Sequence, residues 1–569
     1  MGTWEAERSL GVRGRGSAGM VLGVKGLWAA AVWWLLGAAV AVAAEPPRWN
    51  ILFVFADDMG RYGSCYRAVD GRPGLNDVVT TPAIDRLARE GVLFRHAFVS
   101  SPSCTPCRSS LMSGRPFFSC GRGSILRPAV WDEAIPSFPL LLERAGYRIG
   151  KSYKVWSPGH PADAPFGGQR RAFEQAGRQP NNFSENVTRM VAEGVPLATA
   201  RGRIVAQVRD NFRAFLSEGR AGAPAGNGPA PGDAPWLFFC GPTTTHRTWV
   251  KGSGRALWGI DPESLRGRMP AFLPDVPEVR EDVADYLGEV QAVDAYVAAL
   301  VAELETAGLL DRTLVVVSGD HGMPGVPAGK CEMHDHGTAV TLVARVPGGV
   351  PGRVVDDFVS LPELAPTLLE VGGVARPAGM TAPSLMRQLR ATHGGQIDPD
   401  RRFVIAGRER HVDVARDGNL PYPVRAIRTA DHLYIRNFAP DRLPMGRAGI
   451  ASAGAEADVA QLEQDTFAGF PDMDAGPTKA WLVRHGGESD WRWLHDYAFA
   501  VRPAEELYDL RADPDQVRNV AADPAHGAVR RELAARLEAA LREARDPRME
   551  SDVPFERPPF TDVDSGGRH

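Results

Sequence analysis

The sequence predicts an α/β fold on two observations: continuous apolar, β-rich runs at residues 51–56, 236–240 and 314–318, and stretches of helical periodicity that alternate with them across the first two thirds of the chain. A third observation sets the domain plan. Past residue 395 the alternation weakens into shorter strand-like segments and one terminal amphipathic pattern, so a smaller α+β subdomain with an antiparallel sheet is expected there. The 569 residues, 44% hydrophobic, suffice for a large core and more than one domain. A net charge of -4 and a pI near 6.4 give no global pull toward nucleic acid.

Taken in order, residues 26–44 form an apolar run behind Arg13, Arg15 and Lys25 that ends in small residues at Ala43 and Ala44. This reads as a signal peptide over 1–44, cleaved after Ala44, and implies export to a periplasm or the exterior. A retained single-span anchor competes, and only that reading brings the chain to a membrane. The cysteines, at 65, 104, 107, 120, 240 and 331, are too sparse for a disulfide scaffold. Residues 51–56 read as a strand buried on both faces and release Asp57-Asp58-Met59-Gly60. A helix is expected over 81–90, where Pro82 fits the first turn, and another over 137–145. The strand at 147–150 leads into Lys151, and the strand at 236–240 leads into a loop carrying His246. Residues 221–235, rich in Gly, Pro and Ala, read as a flexible insertion. Helical spacing spans 283–307, and the strand at 314–318 releases Gly319-Asp320-His321-Gly322. Strands are expected at 401–406 and 432–437, with 506–510 continuing the subdomain and a helix over 521–545. The expected domains are therefore 46–395 and 396–547, followed by a polar tail at 548–569.

Two features carry chemistry. In Ser103-Cys104-Thr105-Pro106-Cys107-Arg108, Pro106 marks a first helical turn, so Cys104 falls at or just before the positive end of a helix dipole. An anion is stabilised there, and a thiol is expected to have a depressed pKa. Cys104 and Cys107 also have the spacing of a redox pair or half a zinc site, but no second C-x-x-C follows. The second feature is Asp57, Asp58 and Asp320 at strand ends, the edge of an open α/β sheet where ligands bind. An isolated Asp pair after a strand reads equally well as a cap or turn. Three clustered carboxylates repel one another unless a cation joins them. Oxygen ligands favour Ca2+ or Mg2+, and the adjacent His321 leaves a borderline metal open.

The pattern C-x-P-x-R at Cys104, Pro106 and Arg108, with Gly114-Arg115 downstream, resembles the signature of the type I sulfatases of the alkaline-phosphatase-like superfamily. The resemblance implies a large mixed sheet flanked by helices, and Cys104 converted by a formylglycine-generating maturation enzyme to formylglycine, whose hydrated aldehyde is the nucleophile. It implies Ca2+ held by Asp57, Asp58, residue 104, Asp320 and His321. It also implies sulfate contacts from Arg108, Lys151 and Lys330, with His246 at the sulfate or leaving group. The family's His two places after the first Lys is Tyr153 here, which leaves Lys154, Tyr153 or His160 to assist. Phosphatases of the superfamily use two transition metals and further His ligands, a role open to His334 and His336; a non-catalytic glycan-binding relative is a third reading. The stretches 80–88 and 422–427 and the pair His246-Arg247 are most similar to the heparan N-sulfatase group. That similarity implies a sulfated glycan such as heparan sulfate, cleaved at O-sulfate or N-sulfate. Arg408, Glu409 and His411 would grip it from the second domain, unless they form an exposed charged turn.

Overall fold

β1 (Asn50–Ala56) is buried along its whole length, as its unbroken apolar sequence requires. It shares a seven-stranded sheet with β2 (Val92–Phe98), β3 (Arg148–Tyr153), β4 (Trp236–Gly241), β5 (Thr313–Gly319), β6 (Leu342–Arg345) and β7 (Arg353–Ser360), in the order β3-β4-β1-β5-β6-β2-β7. β6 is antiparallel to β5 and β2, and the other pairings are parallel. The structure is a computed structural model, described for residues 48–221, 234–449 and 458–563. The expected signal peptide and residues 222–233 of the insertion lie outside the described residues.

The alternation of side chains along β1 divides the core into two layers. Leu52, Val54 and Ala56 pack into one cluster, and Ile51, Phe53 and Phe55 into the other. The helix Pro277–Thr306 covers the first through Val283, Leu287 and Val290, spaced at helical period. It begins at Pro277, ahead of the expected 283, because Pro is at home in a first turn. The helices Cys104–Ser113 and Phe138–Arg144 cover the second face through Leu111, Phe138 and Leu142.

Beyond residue 400, β8 (Phe403–Arg408), β9 (Val424–Thr429), β10 (His432–Asn437) and β11 (Glu505–Asp509) form an antiparallel sheet in the order β11-β10-β9-β8. Leu533, Leu537 and Leu541 of the helix Gly527–Glu543 pack on Ile427, Tyr434 and Leu507 of that sheet. This helix starts later than the expected 521, since Asp523 and Pro524 form a separate turn in which the Asp523 side chain accepts from the Ala525 N–H. The polar tail expected at 548–569 is corrected over its described part. Phe555 is buried and packs edge-on against Phe560 with ring centroids 5.0 Å apart, and Arg442 and Arg548 both bond to Glu556. Among the described residues no helix is long and apolar enough to cross a membrane.

Candidate active site

Four neighbouring parallel strands, β3, β4, β1 and β5, end at the same edge of the sheet, so the residues that follow them meet in space. β1 delivers Asp57 and Asp58, β5 delivers Asp320 and His321, the loop after β4 delivers His246, and Lys154 follows β3 directly. The Lys154 N–H donates to Gly241 O at 2.9 Å, which fixes its place beside the end of β4. Asp58 adopts φ 58°, a left-handed conformation unusual for a side-chain-bearing residue. The surroundings hold it there. Its N–H donates to Asp320 Oδ1 at 2.7 Å, and Tyr286 Oη donates to its carbonyl at 2.9 Å.

Cys104 opens the helix Cys104–Ser113, with Ser103 extended at the N-cap. Its Sγ lies 3.4 Å from His321 Nε2 and 3.7 Å from Asp58 Oδ1. Its thiol departs from the depressed pKa expected for a helix start. Burial and the Asp57 carboxylate push it well above the ordinary value, against the pull of Lys154 and Lys330. Arg108, one turn on, is fully buried. Its Nε donates to Asp320 Oδ2 at 2.9 Å, Nη2 to Asp57 Oδ1 at 3.1 Å, and Nη1 to the Lys154 and Val155 carbonyls. This guanidinium ties three strand ends to the helix that carries Cys104.

Asp58, Cys104, Asp320 and His321 each offer a donor atom, all within 4.8 Å of one another. Asp58 Oδ1 and Asp320 Oδ1 lie 3.3 Å and 3.6 Å from His321 Nε2. Ligands of one bound divalent cation stand about 3–3.5 Å apart, so the spacing fits a single metal ion. Asp57, expected as a further ligand, stands apart from this set. Burial would raise its carboxyl, but Lys154, Arg108 and His246 hold it well below the ordinary value. Lys154 Nζ lies 2.7 Å from it, and it groups with Asp58 and His246 as a second candidate donor set.

Lys330 Nζ is buried between Asp58 Oδ2 at 2.9 Å and Asp474 Oδ2 at 3.3 Å. His246, with a third of its side chain exposed, places Nε2 3.9 Å from Asp58 Oδ2. Cys104, Lys154, His246, Lys330, His411 and Asp474 all line one cavity of about 630 Å³. His411 Nδ1 is 2.8 Å from Ser103 Oγ, so the second region of the chain touches the cap of the Cys104 helix. Burial depresses this imidazole to about 3 and keeps it neutral near pH 7.

Three expectations are corrected. Lys151 does not reach the cavity: β3 runs on to Tyr153, which leaves Lys151 inside the strand with Nζ bonded to Asp163 at 2.8 Å. Lys154, the first residue past the strand, takes its place, whereas the Tyr153 hydroxyl is buried against Asn211 and only the exposed His160 joins the cavity lining. Glu409 is 1% exposed and bonded to Arg425 and Arg548, so its charge is consumed within the protein. Arg408 is turned away as well, lying over the Tyr422 ring and donating to the Pro444 carbonyl at 2.8 Å. His334 and His336 belong to neither donor set. The first packs on Tyr508 and the second bonds to Tyr62 Oη, and burial depresses them to about 3 and 4. Asp474 had no sequence signal, as it lies in a turn-rich stretch far from every motif.

The lysine exchange has a direct test. Lys154→Met is expected to lower kcat/KM by about 10²- to 10³-fold, the usual scale for removing one charge-stabilising donor. Lys151→Met breaks a buried ion pair and is expected to cost about 3–5 kcal/mol of stability, read as a lower Tm, with kcat little changed. Equal kinetic losses in the two variants would contradict the assignment.

A family model described as Sulfatase matches residues 49–374. Among curated relatives, the human N-sulphoglucosamine sulphohydrolase is 27% identical over 517 residues, covering 84% of this chain and 86% of that protein. An ulvan-active sulfatase of Formosa agariphila is 24% identical, covering 84% and 72%. Among solved structures, one in complex with its substrate D-glucosamine-2-N,6-O-disulfate superposes with a TM-score of 0.55 at 16% identity, covering 90% of this chain and all of the other. The phosphonate monoester hydrolase of Agrobacterium radiobacter gives 0.57 at 19% identity, covering 87% and 96%. The chain shares the fold of these two structures. With the family match spanning more than half its length, the chain belongs to the sulfatase family, whose members hydrolyse sulfuric esters.

Proposed function

We propose that this protein hydrolyses sulfate esters or N-sulfate groups of a sulfated glycan, with residue 104 acting as formylglycine and a Ca2+ ion bound by Asp58, Asp320, His321 and residue 104. The observation that carries this reading is the approach of Cys104 to a set of metal-type donors at ligand spacing, beneath two lysines that reach the same cavity. When present, formylglycine supplies a hydrated aldehyde oxygen as nucleophile, and the cation supplies Lewis acidity. The chain's own residues do the rest. Arg108 locks the strand ends around the helix start, and Lys154 and Lys330 offset charge on the sulfate oxygens. His246, which lines the cavity, is suited to hand a proton to the departing oxygen or nitrogen.

A glycan substrate draws support from the relatives, one named for N-sulphoglucosamine and one solved with a disulfated glucosamine. Export and a maturation enzyme as partner belong to the same reading. The test pairs two measurements: the mass of the peptide holding residue 104, lighter by the difference between a thiol and an aldehyde, and sulfate release from a panel of sulfated disaccharides. Release of phosphate rather than sulfate from matched monoesters, or a peptide of unaltered mass in active enzyme, would overturn it.

A further inference from the structure

Among the described residues lining the active cavity, Asp474 is the sole acid, set among Arg127, Lys154, Lys330 and three histidines. A carboxylate beside a site for a dianion repels it unless the carboxylate faces a donor on the rest of the substrate. Asp474 shares the Lys330 ammonium with Asp58, at 3.3 Å against 2.9 Å. Asp474 is also held in place. It ends a segment in which the buried Lys479 Nζ donates to the Thr466 and Met473 carbonyls at 3.2 Å and 2.8 Å, and Ala475 N–H donates to Thr466 Oγ1 at 3.0 Å. Phe467, on the same segment, packs with Leu126 and Val412 in an apolar cluster that includes Cys104. An occupant of this cavity therefore meets cations, an apolar wall and one fixed acceptor. A sulfated sugar offers groups to match: the anion, the C–H face of the ring, and a hydroxyl or N–H beside the sulfated position.

Building on the sulfatase reading, we propose that Asp474 is a specificity-determining residue that accepts a hydrogen bond from a hydroxyl or amine of the sugar next to the sulfate. The acid thereby selects sulfated sugars over sulfate anions that lack such a donor.

Calorimetry on the full chain in a Cys104→Ala background, with Ca2+ present, tests this using D-glucosamine-2-N-sulfate and inorganic sulfate as probes. Adding Asp474→Ala should weaken the sugar probe by about 10- to 100-fold, the scale of a lost hydrogen bond to a charged group. Inorganic sulfate should bind equally or more tightly, because a like charge has been removed. Asp474→Asn keeps the shape and one acceptor, guards against misfolding, and should fall between the two. Parallel weakening of both probes would mean that Asp474 serves only to hold Lys330, and unchanged affinity for the sugar would mean that it reads nothing; each overturns the proposal. Failure of the sugar to bind the parent while inorganic sulfate binds also overturns it and leaves the sulfatase reading intact. That reading fails separately if wild-type protein releases sulfate from no substrate in the disaccharide panel.

Discussion

Cys104→Ala is expected to reduce sulfate release by at least about 10⁴-fold, the scale seen when a nucleophile is removed from an otherwise complete site. The fold should survive. The residue is 2% exposed and its Sγ has the His321 and Asp58 side chains as polar neighbours at 3.4 Å and 3.7 Å, so deleting one sulfur leaves a small gap in a cavity wall. A Tm within a few degrees of wild type is the control. The same geometry predicts how wild-type protein behaves when its maturation is incomplete. An unmodified thiol here is held protonated by burial and by Asp57, and a protonated thiol is a poor nucleophile. Specific activity across preparations should therefore scale with the converted fraction of the residue-104 peptide. Activity in the Cys104→Ala variant, or activity independent of that fraction, would remove residue 104 from the chemistry.

Which parts of this site were legible in the sequence follows from how locally each is determined. Asp57, Asp58, Asp320 and His321 sit directly after apolar strands, and Cys104 after the cap of its own helix, so short-range pattern locates them. Lys154 depends on where β3 stops, and that is set by its pairing with β4, in which Tyr153 lies opposite Gly241. The local sequence has a lysine at both 151 and 154, and nothing within it says which one clears the sheet. Glu409 looked like a surface charge because its partner Arg548 is 139 residues away. Its other partner, Arg425, comes from β9, a strand that the sequence pattern left unassigned. β2 and β7 were missed for a related reason: Arg95 and His96 interrupt the first, and Asp356 and Asp357 the second, so neither shows an unbroken apolar run. Asp474 reaches the cavity only through packing of the 466–474 segment, which the buried Lys479 holds.

Removing the cation is expected to abolish activity, with Ca2+ restoring it, and the ligand set predicts unequal effects of its members. Asp58 and Asp320 direct oxygens at His321 Nε2 from 3.3 Å and 3.6 Å, whereas Asp57 is committed to Arg108 at 3.1 Å and Lys154 at 2.7 Å. Asp58→Asn and Asp320→Asn should therefore weaken Ca2+ by at least about 10-fold, one ligand's charge in a site whose affinity follows charge count. Asp57→Asn should weaken it less and instead loosen Arg108 and Lys154, lowering kcat with the metal still bound. Because the ion binds the folded form, Ca2+ at about 100 times its Kd should add about 2.7 kcal/mol of stability, seen as a higher Tm that chelator reverses. The pH dependence has a definite sign. Burial, aided by Asp57 and Asp58, raises the Asp320 carboxyl above its ordinary value despite His321 and Arg108, so protons compete with the ion for this carboxylate as the pH falls. Affinity for Ca2+ should fall as the pH is lowered toward 5, and fall less steeply in Asp320→Asn, which has no carboxylate there to protonate. Calorimetric titrations at pH 7.5 and pH 5 measure both slopes, and equal pH dependence in wild type and Asp320→Asn would detach Asp320 from the metal.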